Sequence, residues 1–154
     1  MVELVPTLLR QELARLAEDD LRLDGRKQWE GREVTLETDC LYNAEGSAKV
    51  VLGDTIVYAG VKFELRTPWP DRPAQGSLMC GAELRPVAHR KYEPGPPSPQ
   101  SIELGRVVDR GIRESGCIDM ESLCIVPGEK VWGVMIDIHV LSDGGNIFDA
   151  CGLA

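Results

Sequence analysis

An α+β domain is the fold class this sequence predicts, and three observations carry it. Two segments place apolar residues at helical spacing, one at the start and one after the middle. Six shorter stretches, all after the first helix, alternate apolar and polar residues or run apolar between turn signals. No repeat and no low-complexity tail divides the 154 residues, so a single domain spanning 1–154 is expected, a mostly antiparallel sheet packed with helices.

The elements follow in order. Pro6 to Glu18 predicts a helix within an N-terminal segment of residues 1–20: Pro6 suits a first-turn position, and Leu9, Leu13 and Leu16 share a face. Asp24-Gly25-Arg26 breaks it. Glu33 to Thr38 sets Val34 and Leu36 against charged neighbours, which predicts a half-buried strand. Ser47–Leu52 and Thr55–Leu65 form a hairpin about Gly53-Asp54, with glycine at the first central position of a type II′ turn. Val57, Ala59, Val61, Phe63 and Leu65 form one face of the second strand, so its register is well specified.

Pro68 to Pro73 is a proline-rich turn, and Ser77 to Leu84 returns as a strand. Pro86 to Gln100 then predicts a stiff loop, because Pro94, Pro96, Pro97 and Pro99 crowd its second half. A helix over Ser101–Ser115 follows, with Leu104, Val107, Val108 and Ile112 as its buried face. Strands around Leu123–Val126 and Val131–Leu141 lead to the turn at Asp143-Gly144-Gly145. Asp149-Ala150-Cys151 looks like the start of a helix with no helix to follow, so a chain shortened at its C-terminus is expected.

Composition bounds the function. With 43% hydrophobic and 27% charged residues the chain is a folded one, and no apolar run is long enough to cross a bilayer. No signal segment opens it, so a cytoplasmic protein without membrane contact is expected. Cys40, Cys80, Cys117, Cys124 and Cys151 are odd in number and make no Cys-x-x-Cys pair, which predicts buried, reduced thiols rather than a zinc site or disulfides. A net charge of −8 argues against unselective binding to duplex backbone. The charge is segregated, however. Arg85 to Arg113 carries +3, leaving −11 for the rest, so any RNA contact is expected in that middle third.

Within it, Arg106, Arg110 and Arg113 fall on one helical face, opposite the apolar one. A rigid cationic row on an acidic protein suits a site that holds a polyanion. The same row also serves as a soluble helix face, with Asp109 and Arg113 an ordinary i,i+4 pair. His89-Arg90-Lys91 precedes the helix and is either an additional RNA contact through Arg90 and Lys91 or only a solvated turn.

Other constellations carry less. Asp137 and His139 share a strand face but are two ligands only, and His89 has no spacing relation to them. No strained Gly-x-Ser-x-Gly turn marks a nucleophile, and no Gly-x-x-x-x-Gly-Lys loop is present. No catalytic residue, metal or cofactor is expected. Tyr42, Tyr58, Tyr92, Trp69 and Trp132 suit core or interface anchoring better than base stacking, with Trp69 the most exposed, at a subunit contact.

Leu23-Asp24-Gly25-Arg26, Gly46-Ser47-Ala48, Leu52-Gly53-Asp54-Thr55, Glu93-Pro94-Gly95-Pro96-Pro97 and Ile102-Glu103-Leu104-Gly105-Arg106-Val107-Val108-Asp109-Arg110 occur in this order. Pro127-Gly128-Glu129-Lys130-Val131-Trp132 and Asp143-Gly144-Gly145-Asn146 follow. The ordered set, over roughly Leu21–Ala154, closely resembles the RNase PH family, and within it the non-catalytic RNase PH-like subunit of the archaeal exosome.

The resemblance implies a ring of three heterodimers with a catalytic sister subunit, topped by RNA-binding cap proteins. Single-stranded RNA would be shortened there from its 3′ end by attack of inorganic phosphate. It implies that Arg106 and Arg110, with Arg113 as a third, contact RNA phosphates, and that this subunit shapes the sister's active site. Catalytic members resemble one another in a pair of adjacent arginines before this helix; here the place reads Pro97-Ser98-Pro99-Gln100. The family's second half, which holds phosphate-binding and acidic groups in catalytic members, is absent, so strands that pair with it would be open edges. A non-catalytic ring subunit is therefore expected, with a pure scaffold or a self-sufficient phosphorolytic exoribonuclease as alternatives.

Overall fold

The computed structural model describes residues 4–154, with side chains from Thr7 onward. Two compact units are distinguished, Met1–Glu33 and Val34–Ala154.

In the first unit, α1 (Leu4–Glu18) ends where Asp20 takes a left-handed backbone, φ 57°. Leu21 N–H then bonds Leu16 O at 2.8 Å and Asp20 N–H bonds Ala17 O at 3.3 Å, the paired closure that satisfies the last helical carbonyls. A one-bridge turn, Leu21 opposite Lys27, follows at the predicted Asp24-Gly25-Arg26 break. Of the predicted apolar face, Leu16 is half-buried within this unit, and Leu9 and Leu13 are exposed.

The second unit is a six-stranded sheet: β1 (Val34–Thr38), β2 (Gly46–Leu52), β3 (Thr55–Arg66), β4 (Ser77–Leu84), β5 (Cys124–Val126) and β6 (Lys130–Ser142). Its order is β1-β2-β3-β6-β4, with β5 also paired to β6. Every pairing is antiparallel except β4 with β6. A parallel pair needs a crossover long enough to hold a helix, and that helix is α2 (Pro99–Ser115). The β2–β3 hairpin turns at Gly53, φ 58°, as its sequence predicts.

One sheet face is the core. Directly opposed residues share a face, so Val50, Val57 and Val140 line it together, as do Ala48, Ala59, Ile138 and Ala82. Leu104 and Val108 of α2, and Ile147, Ala150 and Cys151 of α3 (Ile147–Leu153), close over it.

Four expectations are corrected here. A helix does follow Asn146: α3 has an N-cap without a side-chain bond, and the burial of Ile147, Ala150 and Cys151 holds it instead. β1 is exposed along its length, not half-buried. Val34 and Leu36 point to the core side, in register with Leu52 and Val50, but β1 is the outermost strand and the helices pack over β2, β3, β4 and β6. The far half of β3 outruns the helices too, which leaves Phe63 and Leu65 exposed beside Trp132. Of the five free thiols only Cys151 is fully buried, and Cys117, just past the end of α2, is exposed. Among the aromatics, Trp29 and Tyr42, at 72% and 101%, are more exposed than Trp69.

Of the sheet's two edges, β1 pairs with no further strand among the described residues, and β4 is covered by α2. Alternate carbonyls of β4 face away from β6, and α2 meets three in succession. Ser101 Oγ donates to Ala82 O. Gly105 abuts Cys80 O and the Ala82 amide so closely that a Cβ would stand 3.3 Å from each. Arg113 Nη2 donates to Leu78 O at 3.1 Å. The edge is blunted by a helix rather than by charge.

Candidate nucleic-acid interface

The start of α2 is built by its sequence. Ser98, extended at φ −71°, accepts a bond from Ser101 N–H at 3.2 Å, and Pro99 occupies the first turn where its missing donor costs nothing. Gly116, left-handed at φ 65°, ends the helix. The stretch Pro97-Ser98-Pro99-Gln100 is thus helix-start chemistry without a cation.

With Leu104 and Val108 buried, the opposite face carries the arginines. Arg106 is exposed and makes no hydrogen bond or ion pair among the described residues. Arg110, whose side chain is 73% exposed, lies 3.7 Å from Glu114, too far for a hydrogen bond. Residues four apart are neighbours on successive turns, so Arg106 and Arg110 present two exposed guanidinium forks on one line, neither committed to a hydrogen bond and Arg110 loosely ion-paired with Glu114. Val107 was expected in the buried face; at 49% exposure it flanks the arginines instead, because α2 rests on β4 through Ser101, Gly105 and Arg113 and is rolled toward that strand.

Arg113 differs from its two neighbours. Its Nε and Nη2 donate to the two carboxylate oxygens of Asp109 at 3.2 and 2.8 Å, and Nη2 also reaches Leu78 O. Three of its five N–H donors are used inside the chain. The i,i+4 pair visible in the sequence is therefore present, and it has a second anchor in β4 that the sequence did not reveal.

Arg90 and Lys91 sit in an exposed turn before α2. Lys91 Nζ pairs with Asp143 at 2.9 Å and lies 4.9 Å from the centre of the Tyr92 ring. Tyr92 donates its hydroxyl to Asp143 at 2.6 Å, and Gly145 N–H donates to the other oxygen at 3.0 Å. Burial works to raise the Asp143 pKa, but the bonds from Tyr92, Lys91 and Gly145 outweigh it and hold the carboxyl below its ordinary value. The Asp143 bond raises the Lys91 pKa. Burial, then Asp143, raises that of Tyr92. The network ties the proline-rich loop to the turn before α3. No local sequence signal predicts it, since Tyr92 and Asp143 are 51 positions apart. Lys91 and Tyr92 line a cleft of about 810 Å³ at the N-terminal end of α2, whose lining does not include Arg106, Arg110 or Arg113.

Asp137 and His139 lie on the sheet face away from the helices. His139 Nδ1 accepts from Arg85 Nε at 3.2 Å and faces Glu83 at 3.7 Å, a polar strand surface.

This arrangement of sheet and crossover helix is shared with known proteins. Residues 30–154 match the RNase PH family, described as the 3′ exoribonuclease family, domain 1. The chain belongs to the RNase PH family. It is 50% identical over 154 residues to the exosome complex component Rrp42 of Methanosarcina mazei, which covers 100% of this chain and 58% of that protein. Against the exosome complex component Rrp42 of Sulfurisphaera tokodaii it is 48% identical over 151 residues, 97% of this chain and 55% of that one. A solved structure of the Archaeoglobus fulgidus exosome with RNA bound to the active site matches with a TM-score of 0.93 at 47% identity, covering 99% of this chain and 60% of that one. This RNase PH chain thus spans under two thirds of the length of these relatives. Among its described residues no helix is long and apolar enough to cross a membrane.

Proposed function

We propose that this chain is a non-catalytic ring subunit of an archaeal-type exosome. In this reading it holds single-stranded RNA by its phosphates and helps to shape the active site of a catalytic RNase PH-like partner. The partner then shortens the RNA from its 3′ end by phosphorolysis. The complex is cytoplasmic, a trimer of such heterodimers that also carries RNA-binding cap proteins.

One observation carries the reading: Arg106 and Arg110 stand exposed on successive turns of α2 with no hydrogen bond from either guanidinium among the described residues, Arg110 held only by a 3.7 Å ion pair to Glu114, in a chain of net charge −8. A guanidinium fork pairs with phosphate oxygens in two-point geometry and keeps its charge at any physiological pH. Contacts to phosphate do not distinguish sequence, so such a row suits RNA of any composition. Holding the strand in line for attack lowers the entropic part of the partner's barrier without any bond-breaking by this chain. Likeness to exosome components and to an exosome with RNA bound supports the same assignment. The loop before α2 supports a non-catalytic role, since Ser98 and Pro99 occupy it as helix-start residues.

The test is RNA phosphorolysis by the catalytic partner assembled with the full-length chain, parent against Arg106→Glu/Arg110→Glu. Stimulation by the parent and not by the variant is expected. Equal stimulation makes the chain a scaffold, and phosphate-dependent release of nucleoside diphosphates by the chain alone makes it an enzyme; either result overturns the reading.

A further inference from the structure

We propose that Arg113 is a positioning residue rather than an RNA ligand: shared between Asp109 and the Leu78 carbonyl, it holds the last turns of α2 on β4 so that Arg110 presents its fork to RNA phosphate. The inference rests on α2 being a phosphate-holding face.

Donor geometry separates Arg113 from the other two arginines. Two-point pairing with phosphate needs two parallel N–H groups on one edge of the guanidinium. The Nε–Nη2 edge of Arg113 is closed by Asp109, and the remaining Nη2 proton is directed at Leu78 O. Only Nη1 stays uncommitted. The Asp109 carboxylate, 27% exposed, also offsets the charge. Arg106 makes no hydrogen bond among the described residues, and Arg110 has only an exposed 3.7 Å ion pair to Glu114, so both keep two-point donor edges uncommitted to hydrogen bonds.

The strut also spans the weakest point of the helix. Glycine is a poor helix former, and Gly111 lies between Asp109 and Arg113 with nothing within 4 Å of where its Cβ would be, so no packing compensates. Arg110 sits inside that bridged turn. Arg106 does not: it follows Gly105, which backbone contact with β4 already fixes. Loss of the strut should therefore loosen Arg110 and leave Arg106 in place.

The test uses the full-length chain assembled with its catalytic partner. Binding of a single-stranded oligoribonucleotide is followed by fluorescence anisotropy across a salt series for the parent, Arg110→Gln, Arg113→Gln and the double variant. Each phosphate contact contributes about 0.7 to the salt slope for a single strand. Each single variant is expected to lower the slope by about 0.7, and the double variant by about the same 0.7, because both remove one contact. A fall of about 1.4 in the double variant would show Arg113 touching its own phosphate and overturn the proposal. A parental slope in Arg113→Gln would overturn it as well, by reducing the residue to fold stability. Arg113→Lys, which keeps charge but replaces the planar Nε–Nη2 edge by a single nitrogen, should behave as the Gln variant does; full rescue by Lys goes against the strut. If Arg113→Gln does not fold, Asp109→Asn is read on the same plot. A lowered slope supports the strut, whereas an unchanged or increased slope overturns it. A parental slope in Arg110→Gln instead defeats the phosphate-holding reading, and the proposal with it.

Discussion

Replacing Gly105 by alanine should destabilise this protein, although alanine is the better helix former. The helix-propensity gain is about 1 kcal/mol. Against it stands geometry: the new Cβ would lie 3.3 Å from both Cys80 O and the Ala82 amide nitrogen, and 3.6 Å from the Gly81 carbonyl carbon. These are backbone atoms of a strand held in the sheet by β6, so they cannot swing aside as a side-chain tip would. Forcing a methyl group into such a contact costs about 1–3 kcal/mol. Gly111, in the same helix, is the internal control, because its Cβ meets nothing within 4 Å and only the propensity gain remains. Gly111→Ala should gain up to about 1 kcal/mol, and Gly105→Ala should fall below it by about 1–3 kcal/mol. At this chain length each kcal/mol moves Tm by about 2–4 °C, so calorimetry or thermal circular dichroism resolves the pair. The reasoning is refuted if the two alanine variants melt together, which would mean that α2 does not rest on β4 through Gly105.

Two further predictions follow from buried groups. Tyr92→Phe removes a hydrogen bond to a charged carboxylate and should cost about 1.5–3 kcal/mol in denaturant titrations near neutral pH. Asp143 has a lowered pKa when folded, so its contribution is complete above the ordinary carboxylate value and disappears as pH falls through the folded one. Tyr92 has a raised one, so its contribution is complete below about pH 10 and disappears as pH rises through the folded value. Stability should therefore decline at both extremes, and Tyr92→Phe should flatten the alkaline limb; an unchanged alkaline limb would show the hydroxyl bond to be dispensable. Burial, with Asp109 and Asp137 nearby, pushes the Cys80 thiol up to about 11, and burial beside Cys80 pushes Cys151 up to about 12. Alkylation near pH 8 followed by mass spectrometry should label exposed Cys117 first and Cys151 last; equal rates at the two would show that α3 opens readily.

Local periodicity made most elements legible. The Gly53-Asp54 hairpin, the alternation of β3 and the apolar side of α2 are each specified within a few residues, and all are present. A pattern states which way a side chain points, not whether anything lies above it, which is why Leu36 and Phe63 are exposed on the core side. Helix α3 escaped notice for the opposite reason: its seven residues have no side-chain cap, and burial against β2, β3 and α2 makes the helix. At the candidate site the row of arginines was legible from spacing alone. The Asp109–Arg113 pair was legible too, but not the second anchor that commits Arg113 to the fold, because that partner is a backbone carbonyl 35 residues away. Lys91 is similar, its salt bridge to Asp143 being fixed by the fold.

The contacts that close the sheet edge also determine what α2 displays. Each residue of a helix turns by about 100°, so a slip of one position would carry Leu104 toward solvent and the arginine row toward the sheet. Ser101, Gly105 and Arg113 prevent that slip by meeting Ala82, Cys80 and Leu78, the outward carbonyls of β4, one after another. With the rotation fixed from below, Arg106 and Arg110 need no partners of their own to stay in line, and their donors remain available. A cationic row on an acidic chain would ordinarily be neutralised by nearby carboxylates. Here Asp109 is occupied by Arg113, and Glu114 pairs with Arg110 only loosely, at 3.7 Å. The strut therefore acts twice, holding the helix to the strand and engaging the Asp109 carboxylate, so that Arg106 and Arg110 keep their hydrogen-bond donors uncommitted.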